Sequence, residues 1–264
     1  MPQVIPITAI VVSCDEAGLL ERCLPALRFC DELIVVDMEC TDGTVAVARR
    51  YGARVVPHVR VPFIESAQEW LSTIASHDWI LTVDPDEVVD ARLAKELTAL
   101  LPVLPEEVAV IELPWQFYFG RHALSGTYWG GRNWKSGCCF HRQRVMLDSI
   151  LHQKAVPRPG CISHRIPWFD GHVLHHYWME DYRQFMGKHR RYIAAEGQRH
   201  QRLGHRFSWL RMAWVSVHSF VWSVLKKQGW RDGHVGIGLS AFYAWYVGSG
   251  WMALARLEKD QSLG

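Results

Sequence analysis

The stretch Asp78-Trp-Ile-Leu-Thr-Val-Asp-Pro-Asp-Glu-Val-Val89 holds the residues best placed to do chemistry. Its apolar part, residues 79–83, reads as a buried strand, and Asp84, Asp86 and Glu87 follow where that strand ends. Asp84 and Asp86 are two residues apart, so both carboxylates can be aimed at one point. That donor set suits a hard divalent cation, which in turn holds phosphate oxygens. In open α/β sheets ligands sit outside the carboxyl ends of the strands, where these acids fall. The plainer reading is a strand ending in a polar turn, with Asp86 or Glu87 capping a helix that starts at Ala91.

The elements that must position these acids can be read from the preceding residues. Residues 7–12 are a short apolar strand, followed by Ser13-Cys-Asp-Glu16 and a helical pattern with Leu19, Leu20, Cys23, Leu24 and Leu27 on one side. Asp15 is a candidate cap for that helix. Residues 31–37 form a second strand ending on Asp37. A loop, a short helix over 44–51, a third strand over 52–57 and a helix over 66–76 lead into the acid-bearing strand. Strand and helix alternate four times, which predicts an α/β, doubly wound, mostly parallel sheet. Acids then stand at three strand ends on one rim, more than helix capping alone accounts for.

Composition narrows the partners. The chain has 264 residues, 49% hydrophobic, and a net charge of +2, so bulk charge gives no reason to expect nucleic acid. Thirteen Trp is high usage, and most lie beyond residue 110; Trp clusters serve cores, sugar-stacking surfaces and membrane interfaces. The seven Cys are scattered, odd in number and without zinc-type spacing, which predicts a reduced cytosolic protein. The opening Met-Pro-Gln-Val-Ile-Pro has no basic segment, and no secretory leader is expected.

Four runs together carry a family resemblance: Ile10-Val-Val-Ser-Cys-Asp-Glu16, Asp31-Glu-Leu-Ile-Val-Val-Asp37, Thr41-Asp-Gly-Thr44 and Asp78-Trp-Ile-Leu-Thr-Val-Asp-Pro-Asp-Glu87. In this order and spacing they resemble the family 2 glycosyltransferases of GT-A fold, and among these the chain is similar to the lipopolysaccharide-core β-glucosyltransferases. The resemblance covers the first ninety residues well and returns near His176 and over 229–258. It implies a Rossmann-like, mostly parallel sheet flanked by helices. It implies that Ser13, Asp15 and Glu16 face the nucleotide, although the family prefers Asn where Asp15 stands. Asp37 would meet the uracil or its ribose, Asp84 the donor's ribose or sugar, and Asp86 a Mn²⁺ or Mg²⁺ ion. His176 matches a family His that joins the metal or diphosphate, and Lys188 falls in a Lys-x-x-Arg-Tyr element near the donor diphosphate.

Inverting transfer needs a base for the acceptor's proton. The related branch leads one to expect a His-Glu pair where this chain reads Leu151-His-Gln153, and Gln cannot take a proton. Asp170 and His152 are the remaining candidates. The run Trp129-Gly-Gly-Arg-Asn-Trp-Lys-Ser-Gly137 reads as a Gly-rich loop in which Trp stacks on sugar and Arg132 and Lys135 meet phosphate; an ordinary hairpin is the alternative.

Beyond residue 181 the pattern turns helical. Residues 207–225 are apolar between basic flanks, and 235–255 carry no charge but are diluted by Gly and Ser. They predict an amphipathic helical tail lying on a membrane interface rather than a true span, with a core-packing or dimer-forming tail as the plainer alternative. The expected plan is a catalytic domain over 1–180, with a nucleotide-binding half to about residue 100 and an acceptor half after it, and a helical region over 181–264. The expected activity moves a hexose from a UDP-sugar to a lipid-linked or lipopolysaccharide-core saccharide, at the inner face of the cytoplasmic membrane. The rivals are transfer to a peptide or small natural product and a non-catalytic binding protein of the same fold. A sugar nucleotidyltransferase would need a Gly-rich, basic loop after the first strand, which residues 13–18 lack.

Overall fold

Apolar runs that are buried on both sides make the strands of this chain. The structure is a computed structural model that describes residues 4–61, 68–147 and 155–263. Two compact units can be distinguished. The first comprises the chain to Trp115 with Asn133–His176, the second Gln116–Arg132 with the chain from Tyr177.

The first unit begins β1 (Ile5–Ser13), α1 (Ala17–Cys23), β2 (Cys30–Asp37), α2 (Thr44–Arg50), β3 (Arg54–Pro57), α3 (Gln68–Ile74) and β4 (Trp79–Val83). A short strand β5 (Glu87–Val89) and α4 (Ala91–Leu100) follow. Strand β6 (Val108–Phe119) is the longest; β7 (His122–Ala123), β8 (Arg132–His141), β9 (Val145–Met146), β10 (Val156–Pro157), β11 (Ile162–Arg165) and β12 (Leu174–Met179) complete the strands. The sheet order is β3-β2-β1-β4-β8-β6-β12-β5, with β11 also pairing with β6. Strands β1 to β4 are parallel to one another, while β4 pairs with β8 and β5 with β12 antiparallel. This is the α/β GT-A fold that the sequence led us to expect, but the sheet is mixed rather than mostly parallel, because only its first half is built of strand–helix–strand crossovers.

Period-2 alternation sends each strand's residues to two cores. Val11, Val35, Leu81 and Val83 pack with Leu20, Leu24, Leu93 and Leu97 on the α1/α4 side. Ile10, Ile34, Val36 and Ile80 pack with Leu71 and Phe140 on the α3 side. Strands buried on both faces read as continuous hydrophobic runs, which is why they are plain in the sequence.

Register then aligns the strand ends. Ser13 stands opposite Asp37, and Val11 opposite Val83. Strand order reverses between β1 and β4, so the loops after these two strands flank a topological switch point.

Some boundaries differ from expectation. The helix after the acids is capped by Asp90, whose carboxylate accepts from the Arg92 N–H; neither Asp86 nor Glu87 caps it, because β5 intervenes. The run 129–137 is not one loop: from Arg132 it is strand β8. The predicted helix over 66–76 is seen from Gln68.

The second unit holds α5 (Tyr182–Arg202), α6 (Trp209–Val221), a π-helical turn over Trp222–Lys226 and α7 (Gly233–Leu263). Trp129 is its hub, in ring contact with Trp178, Phe185, His189 and Tyr243. The glycines that dilute α7 are packing notches. A Cβ on Gly236 would lie 1.9 Å from the Gly229 carbonyl oxygen. Asp232 is buried and accepts the N–H groups of Ser125 and Gly126. Among the described residues no helix is long and apolar enough to cross a membrane.

Candidate active site

The turn between β4 and β5 is built by its own acids. The Glu87 N–H donates to the Asp84 carbonyl at 2.9 Å, and the Asp84 N–H donates to Glu87 Oε2 at 2.9 Å. Glu87 is fully buried. Its carboxylate also accepts from Trp115 Nε1 at 2.8 Å and from Lys135 Nζ at 2.6 and 2.7 Å. The same Lys135 Nζ is 2.8 Å from Asp84 Oδ2. Burial opposes the charge on Lys135, but Asp84 and Glu87 outweigh it and hold the ammonium above the ordinary lysine range. Burial pushes the Glu87 carboxyl up, against the pull of Lys135.

Asp86 turns the other way. Its Oδ2 lies 3.2 Å from Nε2 of His176, a buried residue of β12. The imidazole is stacked on Trp115, with centroids 5.0 Å apart and planes 4° apart, which fixes the ring. The preceding His175 faces Asp90 at 3.5 Å, as alternation along a strand requires. An octahedral ion with bonds of about 2.1 Å sets adjacent ligand atoms about 3 Å apart, so the Asp86–His176 pair fits two adjacent positions. The mixed oxygen and nitrogen set suits Mn²⁺ better than Mg²⁺.

The loop after β1 faces the same rim. Ser13 is buried, and its hydroxyl donates to Glu16 Oε2 at 3.3 Å; the Cys14 N–H donates to that oxygen at 3.2 Å. Burial pushes the Glu16 carboxyl up, and the charges of Asp86 and Asp84 add to the effect. Asp15 has φ +58° and does not cap α1. Its Oδ1 instead accepts from the Thr41 N–H (2.6 Å) and the Asp42 N–H (3.2 Å), and Arg60 lies 3.6 Å from its other oxygen. Asp42 accepts from the N–H groups of Thr44 and Ala17. Asp15, Cys40 and Asp42 have ligand atoms within 4.8 Å of one another, but these carboxylates are occupied in holding the loop. Asp37 Oδ1 accepts from the Cys40 N–H at 2.8 Å. A pocket of about 210 Å³ opens here, lined by Ser13, Cys14, Glu16, Met38 and Arg60. A larger groove of about 1260 Å³, between Arg22, Phe29 and α4, holds none of the predicted site residues.

The structure thus brings together Ser13 with Glu16, Asp84 with Lys135 and Glu87, and Asp86 with His176. It does not bring Asp170 to them. Asp170 lies on an exposed turn closed by the Phe169–His172 bridge. The next residue, Gly171, sits against Arg92 of α4, and His172 pairs with Glu96. Because β12 runs antiparallel to β5, pairing Leu174 with Val89 and His176 with Glu87, that turn is at the far end of β5 from Asp86. His152 lies outside the described residues. Arg132, the first residue of β8, and Lys188, in α5, belong to the second unit. Lys135, expected to meet phosphate, is engaged by carboxylates instead. Trp115 is not foreseen as part of the site, and Glu87 is foreseen only as an acid at the strand end, not as the partner of Lys135. Extending the pairing of Leu81 with Cys139 by four residues brings Lys135 level with Pro85, a signal that needs the strand partner.

Comparison with known proteins follows this geometry. A model of glycosyl transferase family 2 matches residues 8–153, and the chain belongs to that family. It is similar to a protein described as an uncharacterized glycosyltransferase in Rickettsia bellii (strain RML369-C), 36% identical over 92 residues, 34% of this chain and 31% of the relative. It is also similar to the lipopolysaccharide core biosynthesis glycosyltransferase LpsC of Rhizobium meliloti (strain 1021), 30% identical over 104 residues, 38% of this chain and 37% of the relative. The matched part is about a third of the length of these curated relatives. Among solved structures it resembles Mycobacterium tuberculosis glucosyl-3-phosphoglycerate synthase in complex with Mn²⁺, uridine diphosphate and glucosyl-3-phosphoglycerate. That likeness has a TM-score of 0.35 and 24% identity, covering 44% of this chain and 45% of that one. Staphylococcus aureus TarS (1–349) gives a TM-score of 0.39 at 19% identity, covering 44% and 37%.

Proposed function

We propose that this chain is a metal-dependent glycosyltransferase that moves a hexose from a UDP-sugar to a saccharide acceptor, with inversion. Family membership supports the reaction class. The observation that carries the site is Asp86 facing His176 at 3.2 Å beside the β1/β4 switch point. In this reading Asp86 and His176 hold Mn²⁺ or Mg²⁺. When bound, the ion offsets the charge that grows on the diphosphate as the glycosidic bond breaks. Asp84 contacts the donor's ribose or sugar, Asp37 the uracil or its ribose, and Ser13 and Glu16 shape the nucleotide loop with Asp15. Arg132 and Lys188 are proposed donor contacts, Lys188 as the family resemblance implies. His152 is the favoured proton acceptor, since the Asp170 turn packs on α4.

The acceptor proposed is a lipid-linked or lipopolysaccharide-core saccharide. The proposed catalytic domain spans 1–180, with the helices of 181–264 resting on the inner surface of the cytoplasmic membrane. The apolar outer face of α6 supports this part of the reading.

The test is UDP-hexose binding and slow hydrolysis in the presence of Mn²⁺, comparing the native chain with Asp86→Ala. We expect metal-dependent binding and turnover that Asp86→Ala lowers at least about a hundredfold. Binding without turnover under any acceptor mixture would mark a non-catalytic protein. Absence of binding by any UDP-sugar would remove the donor.

A further inference from the structure

Trp115 is half-buried against the core on the α1/α4 side, and packing alone would account for a tryptophan there. Packing does not account for the two directed contacts of its ring. Strand β12 lies between β6 and β5 in the sheet, and the β5–β12 register sets His176 opposite Glu87. Trp115, on β6, meets both. Its Nε1–H donates to Glu87 Oε1 at 2.8 Å, and its ring lies flat along the His176 imidazole, with planes 4° apart. Glu87 is fully buried and held by Lys135 Nζ at 2.6 Å. The polar end of the indole is therefore tethered to a carboxylate that cannot move without breaking a buried ion pair. A hydrogen bond to an ionised acceptor is strong and directional, so it sets the tilt of the indole as well as its place.

That tilt passes to the neighbouring ring. The torsion that turns an imidazole is broad, and a histidine without a constraint samples many ring planes. A ring nitrogen bonds a metal through a lone pair in the ring plane, so the plane decides whether His176 and Asp86 can share an ion. The stack on Trp115 fixes the plane, with Nε2 at 3.2 Å from Asp86 Oδ2. We propose that Trp115 is a positioning residue of the cation site, which carries the rigidity of the buried Glu87–Lys135 pair to the ring plane of His176. Outer partners of this kind govern how tightly a ligating histidine holds its metal. The inference rests on the metal part of the proposed function and adds to it a residue that acts only through His176.

The test has two readouts, neither of them activity. Mn²⁺ uptake is followed by loss of the free-ion electron paramagnetic resonance signal, with and without UDP. In metal-free protein the His176 ring protons are located by nuclear magnetic resonance, as the signals lost in His176→Ala; lying over an indole face, they are shifted upfield. Trp115→Phe keeps a ring against the imidazole but loses the N–H, and Trp115→Leu keeps neither. Trp115→Leu should abolish the upfield shift and weaken Mn²⁺ at least about tenfold, with Trp115→Phe between it and the native chain. In the His176→Ala background the same two substitutions should change Mn²⁺ affinity less than about twofold, because the route is gone. An equal further loss in that background overturns the inference, since Trp115 would then act by another path. So does a Trp115→Phe chain as weak as Trp115→Leu, which would leave the stack without a role. If Trp115→Leu does not fold, Trp115→Phe decides alone: native Mn²⁺ affinity in it would mean that the tether to Glu87 is idle, and would overturn the inference. A native chain that takes up no Mn²⁺ with or without UDP overturns the metal reading together with this one, whereas uptake indifferent to Trp115→Leu overturns this one only.

Discussion

Glu32 shows how one side chain can tie a parallel sheet together at the edge away from the site. Its carboxylate accepts from Thr8 Oγ1 (2.7 Å), the Ser76 N–H (2.7 Å), Ser76 Oγ (2.9 Å) and Arg54 Nη2 (2.8 Å). It therefore joins β1, β2, β3 and the entry to β4. Burial pushes the carboxyl up, but these bonds to the charged form outweigh it and bring it down to about 2. A depressed value means that the stabilisation is full above the ordinary glutamate value of 4.5 and is lost as pH falls toward 2. Glu32→Gln should lower stability by about 1–3 kcal/mol at pH 7, and the gap should close between about pH 4.5 and 2. Melting temperatures of both forms across that range check it; a gap independent of pH would assign the loss to packing. The residues of the acid rim could be read from the sequence because each follows an unbroken apolar strand. Lys135 could not, because its contact with Asp84 spans 51 positions and depends on the β4–β8 register. Asp170 misleads for a related reason. It is six positions from His176 in sequence, but a strand rises about 3.3 Å per residue, and this one rises along β5 toward Asp86.

At the scale of elements, α7 separates two kinds of glycine. In sequence its Gly residues look like weak helix positions, and they make the apolar run read as a poor membrane span. Packing gives Gly236 another reason, because any Cβ there would meet the Gly229 carbonyl at 1.9 Å. Gly187 in α5 is exposed and has nothing within 4 Å of where a Cβ would stand. Gly236→Ala should therefore cost about 1–3 kcal/mol by overpacking. Gly187→Ala should raise stability by about 0.5–1 kcal/mol through helix propensity. Denaturant melts of the two variants check the pair. Equal and favourable shifts would mean that α7 does not approach Gly229 this closely. The tail's helices could be foreseen from their period, whereas the turn of π-helix over Trp222–Lys226 and the anchoring of Asp232 on the Ser125 and Gly126 N–H groups could not. Both depend on tertiary partners that local sequence does not name.

For the whole molecule, charge and exposed apolar surface are distributed unevenly. The chain carries a net charge of only +2, yet residues 206–231 hold Arg206, Arg211, Lys226, Lys227 and Arg231 and no acid. Within that stretch Leu210 is 85% exposed, and Trp209, Trp214, Val217, Leu225 and Trp230 are also exposed. Leu210, Trp214, Val217, Val221 and Leu225 recur at helical spacing, so they form one stripe. Such a stripe is larger than isolated surface apolar residues explain. Anionic lipid headgroups would neutralise these five positive charges while the Trp and Leu side chains enter the interface. The protein is expected to float with vesicles containing phosphatidylglycerol and to stay behind with pure phosphatidylcholine. Lys226→Glu with Lys227→Glu should weaken binding at least about tenfold, since each basic residue near an anionic surface is worth about 1 kcal/mol. Leu210→Glu with Trp214→Glu should abolish binding even at low salt, because no attraction between charges returns the lost apolar burial. UDP-hexose hydrolysis in solution should be unchanged in both pairs. Binding to neutral and anionic vesicles alike would leave the basic residues without a role. Concentration-dependent self-association in place of flotation would assign the stripe to a protein partner.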